Sequence, residues 1–254
     1  MKPALSFRQP HSPSSWEKLP NGELIVESID TILAPWWPKF FGYHLLKIGA
    51  LSHHINTSAS TIQHQVTISE HKPHADINAE IEDLPLLEHS VDVCLLSHVL
   101  EFTLDPHHVI REANRVLIPN GYLVITGYNA FSLAGLNSFV PYRRQQPPWN
   151  ERFFSPLRVK DWLDLMGYEI LADERCLHSM LANNVSQHLM ARQWRQFTQR
   201  YLSSLGSIFV IVAKKRVLPL TPIKPKWKLK PKLAPINVSS VGSKVRHTKK
   251  NINN

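Results

Sequence analysis

With 254 residues, the chain is long enough for one sizeable hydrophobic core or for one domain with appendages, and its hydrophobic content of 43% is ordinary for a globular protein. Two cysteines, Cys94 and Cys176, are too few for a disulfide framework, and the longest apolar runs are too short to span a bilayer, so we expect a soluble, cytoplasmic protein without a transmembrane segment. The net charge of +9 comes from the end of the chain: 12 Lys/Arg and no acid follow from Lys214 onward, whereas residues 1–213 hold 17 Lys/Arg against 20 Asp/Glu.

The first half of the chain alternates between predicted helices and strands. Residues 22–34 carry apolar side chains at helical spacing, and the Pro-Trp-Trp-Pro run after them ends the helix. Residues 43–51 are predicted as a first buried strand that ends in a loop at Gly49. A weakly patterned helix is predicted over 53–62, and a second strand over 64–69.

Gly49 and Glu70 have the spacing of an adenosine-binding site. The glycine follows the first strand, and the acid ends the second strand 21 positions later. A carboxylate in that position binds ribose hydroxyls in nucleotide-binding folds. Only one glycine is present, which argues against a pyrophosphate-containing cofactor more than against an adenosyl ligand. The alternative interpretation is a turn glycine and a solvated strand end.

The stretch 83–129 predicts a strand–helix–strand unit. Residues 91–96 are nearly all apolar, Asp105 and Pro106 have the pattern of an N-cap and first helical position, and a Pro-Asn-Gly turn precedes a strand over 122–126. Such a unit predicts an open, doubly wound α/β sheet with helices on both faces. Ligands of these sheets bind beyond the carboxyl ends of the strands, where Ser97 and His98 are expected.

The remaining elements follow in the second half of the chain. Residues 129–154 are predicted as a long binding loop or lid, with disorder as the alternative. A helix capped by Ser155-Pro156 and ended by Gly167 precedes a strand at 168–171, a helix over 186–202 and a final strand at 207–213. The Pro- and Lys-rich tail is predicted to be extended and disordered.

Several motifs resemble those of the class I S-adenosylmethionine-dependent methyltransferases. They are the acidic run ending in Leu84-Pro85-Leu86, the segments Ser90–Val93 and His98–Phe102, and the segment Arg111–Gly121. The resemblance covers roughly residues 40–213 and includes a small bacterial branch with Gly127-Tyr128-Asn129 after the next strand. It implies a Rossmann-like, seven-stranded, mostly parallel sheet with an antiparallel last strand. The chain would thus comprise an N-terminal segment with one packing helix (1–39), a methyltransferase-like domain (40–213) and a basic tail (214–254).

The resemblance also implies S-adenosyl-L-methionine as cofactor, with Gly49 in the cofactor loop, Glu70 on the ribose, Glu80 near the adenine edge and Ser97 beside the methyl donor. The family's glycine-rich motif, which begins with an acid, is reduced here to residues 47–52. Lys47 replaces the acid and could pair with the methionine carboxylate of the cofactor. The predicted function is methyl transfer to an unidentified acceptor. The alternative is a methyltransferase-fold binding or scaffold protein that has lost catalysis.

His98 is the candidate general base, because histidine titrates near neutral pH and the position borders the expected pocket. The alternative is an ordinary pocket-lining histidine, and Glu101 is expected only to favour a helix dipole. The 14 histidines lack the spacing of a metal site, so no metal is predicted. The tail, residues 214–254, is expected either to contact nucleic acid or another polyanion or to be a solvated appendage.

Overall fold

The structure is a computed structural model that describes residues 12–70, 75–137, 148–149, 151–177, 205–216 and 242. The chain divides into two compact units, Met1–Leu218 and Pro219–Asn254, and the helices and strands described below all belong to the first unit. The predicted helix over 186–202, most of the predicted loop over 129–154 and the predicted disordered tail lie outside the described residues.

Seven strands form one sheet, which confirms the predicted fold class. Their order across the sheet is β3-β2-β1-β4-β5-β7-β6, and β7 runs antiparallel to both of its neighbours while the other pairs are parallel. The antiparallel last strand is therefore where the sequence predicted it. The strands are β1 (His44–Ile48), β2 (His64–Ser69), β3 (Ile77–Asn78), β4 (Val91–Ser97), β5 (Leu117–Tyr128), β6 (Tyr168–Cys176) and β7 (Ile208–Lys215).

Among the described residues, five α-helices accompany the sheet: α1 (Gly22–Leu33), α2 (Ala50–His53), α3 (Pro106–Val116), α4 (Leu133–Asn137) and α5 (Pro156–Leu165). The two predicted caps are present, since the Asp105 side chain accepts from the His108 N–H and the Ser155 side chain accepts from the Arg158 N–H. Apolar residues of α3 and α5 pack on one face of the sheet, and those of α1 and α2 pack on the other. The central strands β4 and β7 are thus buried on both sides, which explains their continuous apolar sequences.

Three local features differ from the sequence prediction. The helix expected over 53–62 does not form, since the single turn α2 ends at its first residue, His53. Asn56 and Ser60 accept hydrogen bonds from backbone N–H groups two residues ahead, which favours turns there. The acidic stretch 76–85, whose composition predicts a loop, contributes β3, an edge strand too short to show a hydrophobic period. The predicted turn at Pro119–Gly121 lies within β5, where the register with β4 shifts and Asn120 adopts a φ of +64°.

The motif residues around β4 make contacts that stabilise the fold. Asp92, on β4, accepts hydrogen bonds from the backbone N–H groups of Tyr43 and His44 at 2.8 Å each, which fixes the start of β1. Arg115 donates to Glu112 at 2.8 Å and to the carbonyls of Leu84 and Leu86. The arginine and glutamate of α3 therefore hold the loop before β4 in place.

Candidate functional site

A cavity of about 220 Å³ lies at the carboxyl ends of the parallel strands. It is bordered by residues that follow β1, β2 and β4, which is the edge where open α/β sheets bind ligands. Four of the residues singled out in the sequence meet here: Gly49, Glu70, Ser97 and His98. The N-terminal segment also reaches the cavity, through Ser12.

Gly49 occupies a backbone position that excludes side chains. Its φ and ψ are +84° and 152°, in a region that only glycine adopts readily. A Cβ atom at this position would approach Cγ2 of Val99 to 2.8 Å. The glycine N–H donates to the Ile68 carbonyl of β2 at 2.8 Å, so the turn after β1 stays close to both neighbouring strands.

Ser52 and Ser97 tie the ends of β1 and β4 together beneath the cavity. The Ser52 hydroxyl donates to the Ile48 carbonyl at 2.5 Å and accepts from the Ser97 N–H at 2.8 Å. The Ser97 hydroxyl lies 2.9 Å from that of Thr126 on β5. Sequence reasoning missed Ser52, because its role depends on contact with a strand 45 positions away.

The two acids assigned to the cofactor differ in their placement. Glu70 is exposed at the end of β2 and borders the cavity. Glu80 is exposed and does not border the cavity, although the adjacent Ile81 does. The structure therefore brings Glu70 to the other site residues and leaves Glu80 one position away from the cavity wall.

Lys47 does not face the cavity. Its ammonium donates to the Ile55 carbonyl at 3.2 Å, and its side chain is buried. Burial lowers the pKa of Lys47, and the carboxylates of Asp30 and Asp76 partly oppose that shift. The suggested pairing of Lys47 with the cofactor's methionine carboxylate thus has no support in this geometry.

His98 is buried and has a strained backbone. It follows β4 directly with a φ of +50°, which is uncommon for a residue with a side chain. Only 1% of its surface is exposed, and neither ring nitrogen has a hydrogen-bond partner among the described residues. Buried nitrogens without a hydrogen-bond partner are energetically costly.

Glu101 and Tyr128 complete a polar cluster around His98. Oε1 of Glu101 lies 3.5 Å from Nδ1 of His98 and accepts from the Tyr128 N–H at 2.6 Å. The Tyr128 and His98 rings are 4.4 Å apart. Burial, and secondarily the Glu101 carboxylate, raises the pKa of Tyr128, so its hydroxyl keeps its proton at neutral pH.

The expectation that Glu101 serves only a helix dipole needs correction. The residue lies in a short 3-10 helix, Leu100–Phe102, and is 1% exposed. Gly127 makes room for the carboxylate, because a Cβ there would lie 2.5 Å from Oε1 of Glu101. Glu101 and Gly127 are far apart in the sequence, and they meet only because β4, which precedes Glu101, pairs with β5, which contains Gly127.

Trp16 covers the site from the N-terminal segment. Its indole N–H donates to the Leu51 carbonyl at 2.9 Å, and its ring meets His98 edge-on with 5.1 Å between centroids. The side chain is 4% exposed. Sequence reasoning gave Trp16 no role, since residues 1–21 lack a periodic pattern.

Comparison with known proteins agrees with this geometry. Residues 43–125 match the family model described as a methyltransferase domain. YafS, an uncharacterized protein of Escherichia coli, is 40% identical over 221 residues, which span 87% of this chain and 88% of YafS. The chain is a member of the class I S-adenosylmethionine-dependent methyltransferase family.

Two more distant similarities also extend over most of this chain. The tRNA 5-carboxymethoxyuridine methyltransferase of Escherichia coli is 25% identical over 226 residues, covering 76% of this chain and 87% of that enzyme. The crystal structure of a SAM-dependent methyltransferase from Archaeoglobus fulgidus matches with a TM-score of 0.53 and 17% identity, over 76% of this chain and 94% of that one. This last similarity concerns the fold.

Membership of the methyltransferase family implies S-adenosyl-L-methionine as cofactor, and the residues at the cavity fit it. Gly49 has no side chain, so a ligand can lie against the backbone of its turn. Glu70 supplies a carboxylate suited to ribose hydroxyls. Within the described part of the chain, no three His, Cys, Asp or Glu side chains are grouped so as to hold a metal ion. Nor does any described helix have the length and apolar character needed to cross a membrane.

Proposed function

We propose that this chain transfers a methyl group from S-adenosyl-L-methionine, bound in the cavity beside Gly49, to an acceptor that enters near His98. The observation that carries the proposal is the meeting of Gly49, Glu70, Ser97 and His98 at one cavity, although they come from three separate strand ends. The cofactor supplies an electrophilic methyl group on sulfur, so the protein has mainly to align donor and acceptor.

In this proposal the chain's own residues have distinct tasks. Glu70 binds the ribose hydroxyls, Glu80 contacts the adenine edge from its exposed position next to Ile81, and Ser97 borders the methyl donor. His98 accepts the acceptor's proton. Gly49 allows this turn to form, because a side chain there would be strained at the positive φ and would collide with Val99.

Titration calorimetry with S-adenosylmethionine and S-adenosylhomocysteine tests the proposal. We expect binding that Glu70→Ala and Glu80→Ala each weaken, by roughly 1–3 kcal/mol if a hydrogen-bonded carboxylate is lost. Glu88→Ala is the matched control, since Glu88 is an exposed glutamate in the loop before β4, outside the cavity. Absence of heat and of a thermal shift at millimolar ligand would leave the inactive scaffold as the better interpretation.

We further propose that RNA carries the acceptor and that the basic tail helps to hold it. Two observations support this: the 12 Lys/Arg without an acid from Lys214 onward, and the distant relative that acts on a tRNA. Phosphate contacts make binding strongly salt-dependent. Deletion of 217–254, which spares β7, should abolish salt-sensitive RNA retention in filter binding and leave cofactor binding intact. Equal RNA retention by the truncated and full chains would contradict the role of the tail.

A further inference from the structure

The buried cluster of His98, Glu101 and Tyr128 contains four side-chain atoms without a hydrogen-bond partner among the described residues. They are Nδ1 and Nε2 of His98, Oε2 of Glu101 and the hydroxyl of Tyr128. Buried polar atoms in folded proteins are nearly always paired, and an unpaired one costs about 1–3 kcal/mol. Several such atoms within one cluster, beside a ligand cavity, indicate that a ligand completes their hydrogen bonds.

We propose that this cluster selects a neutral acceptor hydroxyl, with His98 as the proton-accepting catalytic residue and Glu101 as a positioning residue that holds the imidazole in its Nδ1–H form. The inference rests on the proposed methyl transfer and adds to it the chemical class of the acceptor. Carboxylates and unprotonated amines are already good nucleophiles towards a methyl group, whereas a neutral hydroxyl is a weak one unless a base removes its proton.

The geometry favours one direction of proton transfer. Nδ1 of His98 faces the carboxylate of Glu101 at 3.5 Å, a separation that charge attraction spans and that a small movement would convert into a hydrogen bond. A carboxylate can only accept a hydrogen bond there, so Nδ1 carries the hydrogen and Nε2 keeps its lone pair. The position of the Glu101 carboxylate is fixed as well, because its Oε1 also accepts a hydrogen bond from the backbone N–H of Tyr128.

Atoms and charges balance in the proposed step. The acceptor oxygen forms a bond to the methyl carbon as the carbon–sulfur bond breaks, and the bonding pair remains on sulfur as S-adenosylhomocysteine is released. The hydroxyl proton moves to Nε2 of His98, and the resulting imidazolium is stabilised by Glu101. The Tyr128 hydroxyl, whose proton is retained, can donate to the acceptor oxygen without competing as a base.

The charges at the site disfavour a carboxylate acceptor. Glu101 is buried within the cluster and Glu70 borders the same cavity, so a third carboxylate would enter next to negative charge. A neutral hydroxyl meets no such cost. Because Nε2 is shielded from water, the acceptor has to displace part of its cover, which includes the ring of Trp16.

Long-range proton–nitrogen NMR on protein labelled with ¹⁵N-histidine tests the role of Glu101 without any acceptor. We expect Nδ1 of His98 to be protonated and Nε2 bare. His89 provides an internal standard, since its Nδ1 lies 3.0 Å from the Leu117 carbonyl, which can only accept. His98→Asn assigns the signals, because asparagine tolerates positive φ. Glu101→Gln should reduce the Nδ1–H fraction; the opposite tautomer in the unaltered protein, or no change in Glu101→Gln, would overturn the proposal.

The acceptor class is tested with 4-fluorophenol and 4-fluorobenzoate, followed by ¹⁹F NMR with and without S-adenosylhomocysteine. We expect line broadening of the phenol that is lost in His98→Asn, and none of the benzoate. Preference for the benzoate, or no binding of the phenol, would refute a hydroxyl acceptor. Calorimetry with S-adenosylhomocysteine on the same samples separates the two ideas: missing heat counts against methyl transfer, whereas a wrong tautomer with normal heat counts against the cluster alone.

Discussion

Replacing Gly49 with alanine should destabilise the domain for two separable reasons. The backbone at φ +84° and ψ 152° is open essentially to glycine alone, and placing alanine there costs about 1–3 kcal/mol. The added Cβ would also lie 2.8 Å from Cγ2 of buried Val99, and overpacking of this kind costs about 1–3 kcal/mol. The expected loss for Gly49→Ala is therefore about 2–6 kcal/mol in the free energy of unfolding.

A double-mutant cycle with Val99→Ala separates the two contributions. Trimming Val99 leaves the backbone cost in place and removes the collision, so Gly49→Ala should cost about 1–3 kcal/mol less in the Val99→Ala background. Gly167→Ala is the matched control, because Gly167 has a φ of +81° but its nearest atom to a new Cβ is 3.6 Å away. It should show a backbone cost alone, of about 1–2 kcal/mol.

Chemical denaturation of these variants gives the free energies, and calorimetry gives the affinity for S-adenosylmethionine. Gly49→Ala should also weaken cofactor binding, since the turn borders the cavity. Two results would refute the reasoning: a loss at Gly49 no larger than that at Gly167, or the same loss with and without Val99. Either would mean that the close approach of Val99 does not restrict residue 49.

Three further predictions concern side chains around the site. The bond with Arg115 lowers the pKa of Glu112, so its stabilisation is complete above the unfolded-state pKa of about 4.3 and is lost as pH falls through the lower folded-state pKa; Glu112→Gln should cost stability in urea denaturation at pH 7 and much less at pH 3. Lys47→Met should leave the calorimetric affinity for S-adenosylmethionine unchanged, because the ammonium is bonded outside the cavity, and a clear loss would restore the cofactor role. Trp16→Phe removes the bond to the Leu51 carbonyl and should cost about 1–2 kcal/mol of stability together with weaker cofactor binding, whereas unaltered values of both would dissociate Trp16 from the site.

Most of the fold could be predicted from the sequence, because the central buried strands such as β4 and β7 are apolar runs between turn residues. β2 was predicted at its observed bounds, and the caps of α3 and α5 were visible in Asp105 and Ser155. The failures have physical causes. β3 has only two residues, so its sequence shows no hydrophobic period. The expected helix over 53–62 is replaced by turns, because side chains there bond to the nearby backbone.

The candidate site likewise contains residues that the sequence predicts and residues that it does not. Gly49, Glu70, Ser97 and His98 follow strand ends, and strand ends of parallel strands meet at one edge of the sheet, so a reader of the sequence can bring them together. Glu101 offered no such clue, because its carboxylate acts on the N–H of a residue 27 positions away on the neighbouring strand. Contacts of that kind depend on strand order, which local patterns do not encode.

The loss of glycines after β1 can be understood from what packs there. Leu51 stands where the family's glycine-rich motif has its second glycine, and its side chain is buried in the cluster that includes Trp16 and Ile55. Trp16 also uses the Leu51 carbonyl as a hydrogen-bond acceptor. Trp16 of the N-terminal segment therefore fills the space beside this loop and forms a hydrogen bond with the Leu51 carbonyl, which a more open loop would expose to solvent. Gly49 is the glycine that this packing cannot replace, since its constraint comes from φ and from Val99 on the other side of the turn. The N-terminal segment thus gives the Leu51 side chain and carbonyl packing and hydrogen-bond partners, whereas the turn at residue 49 still requires glycine.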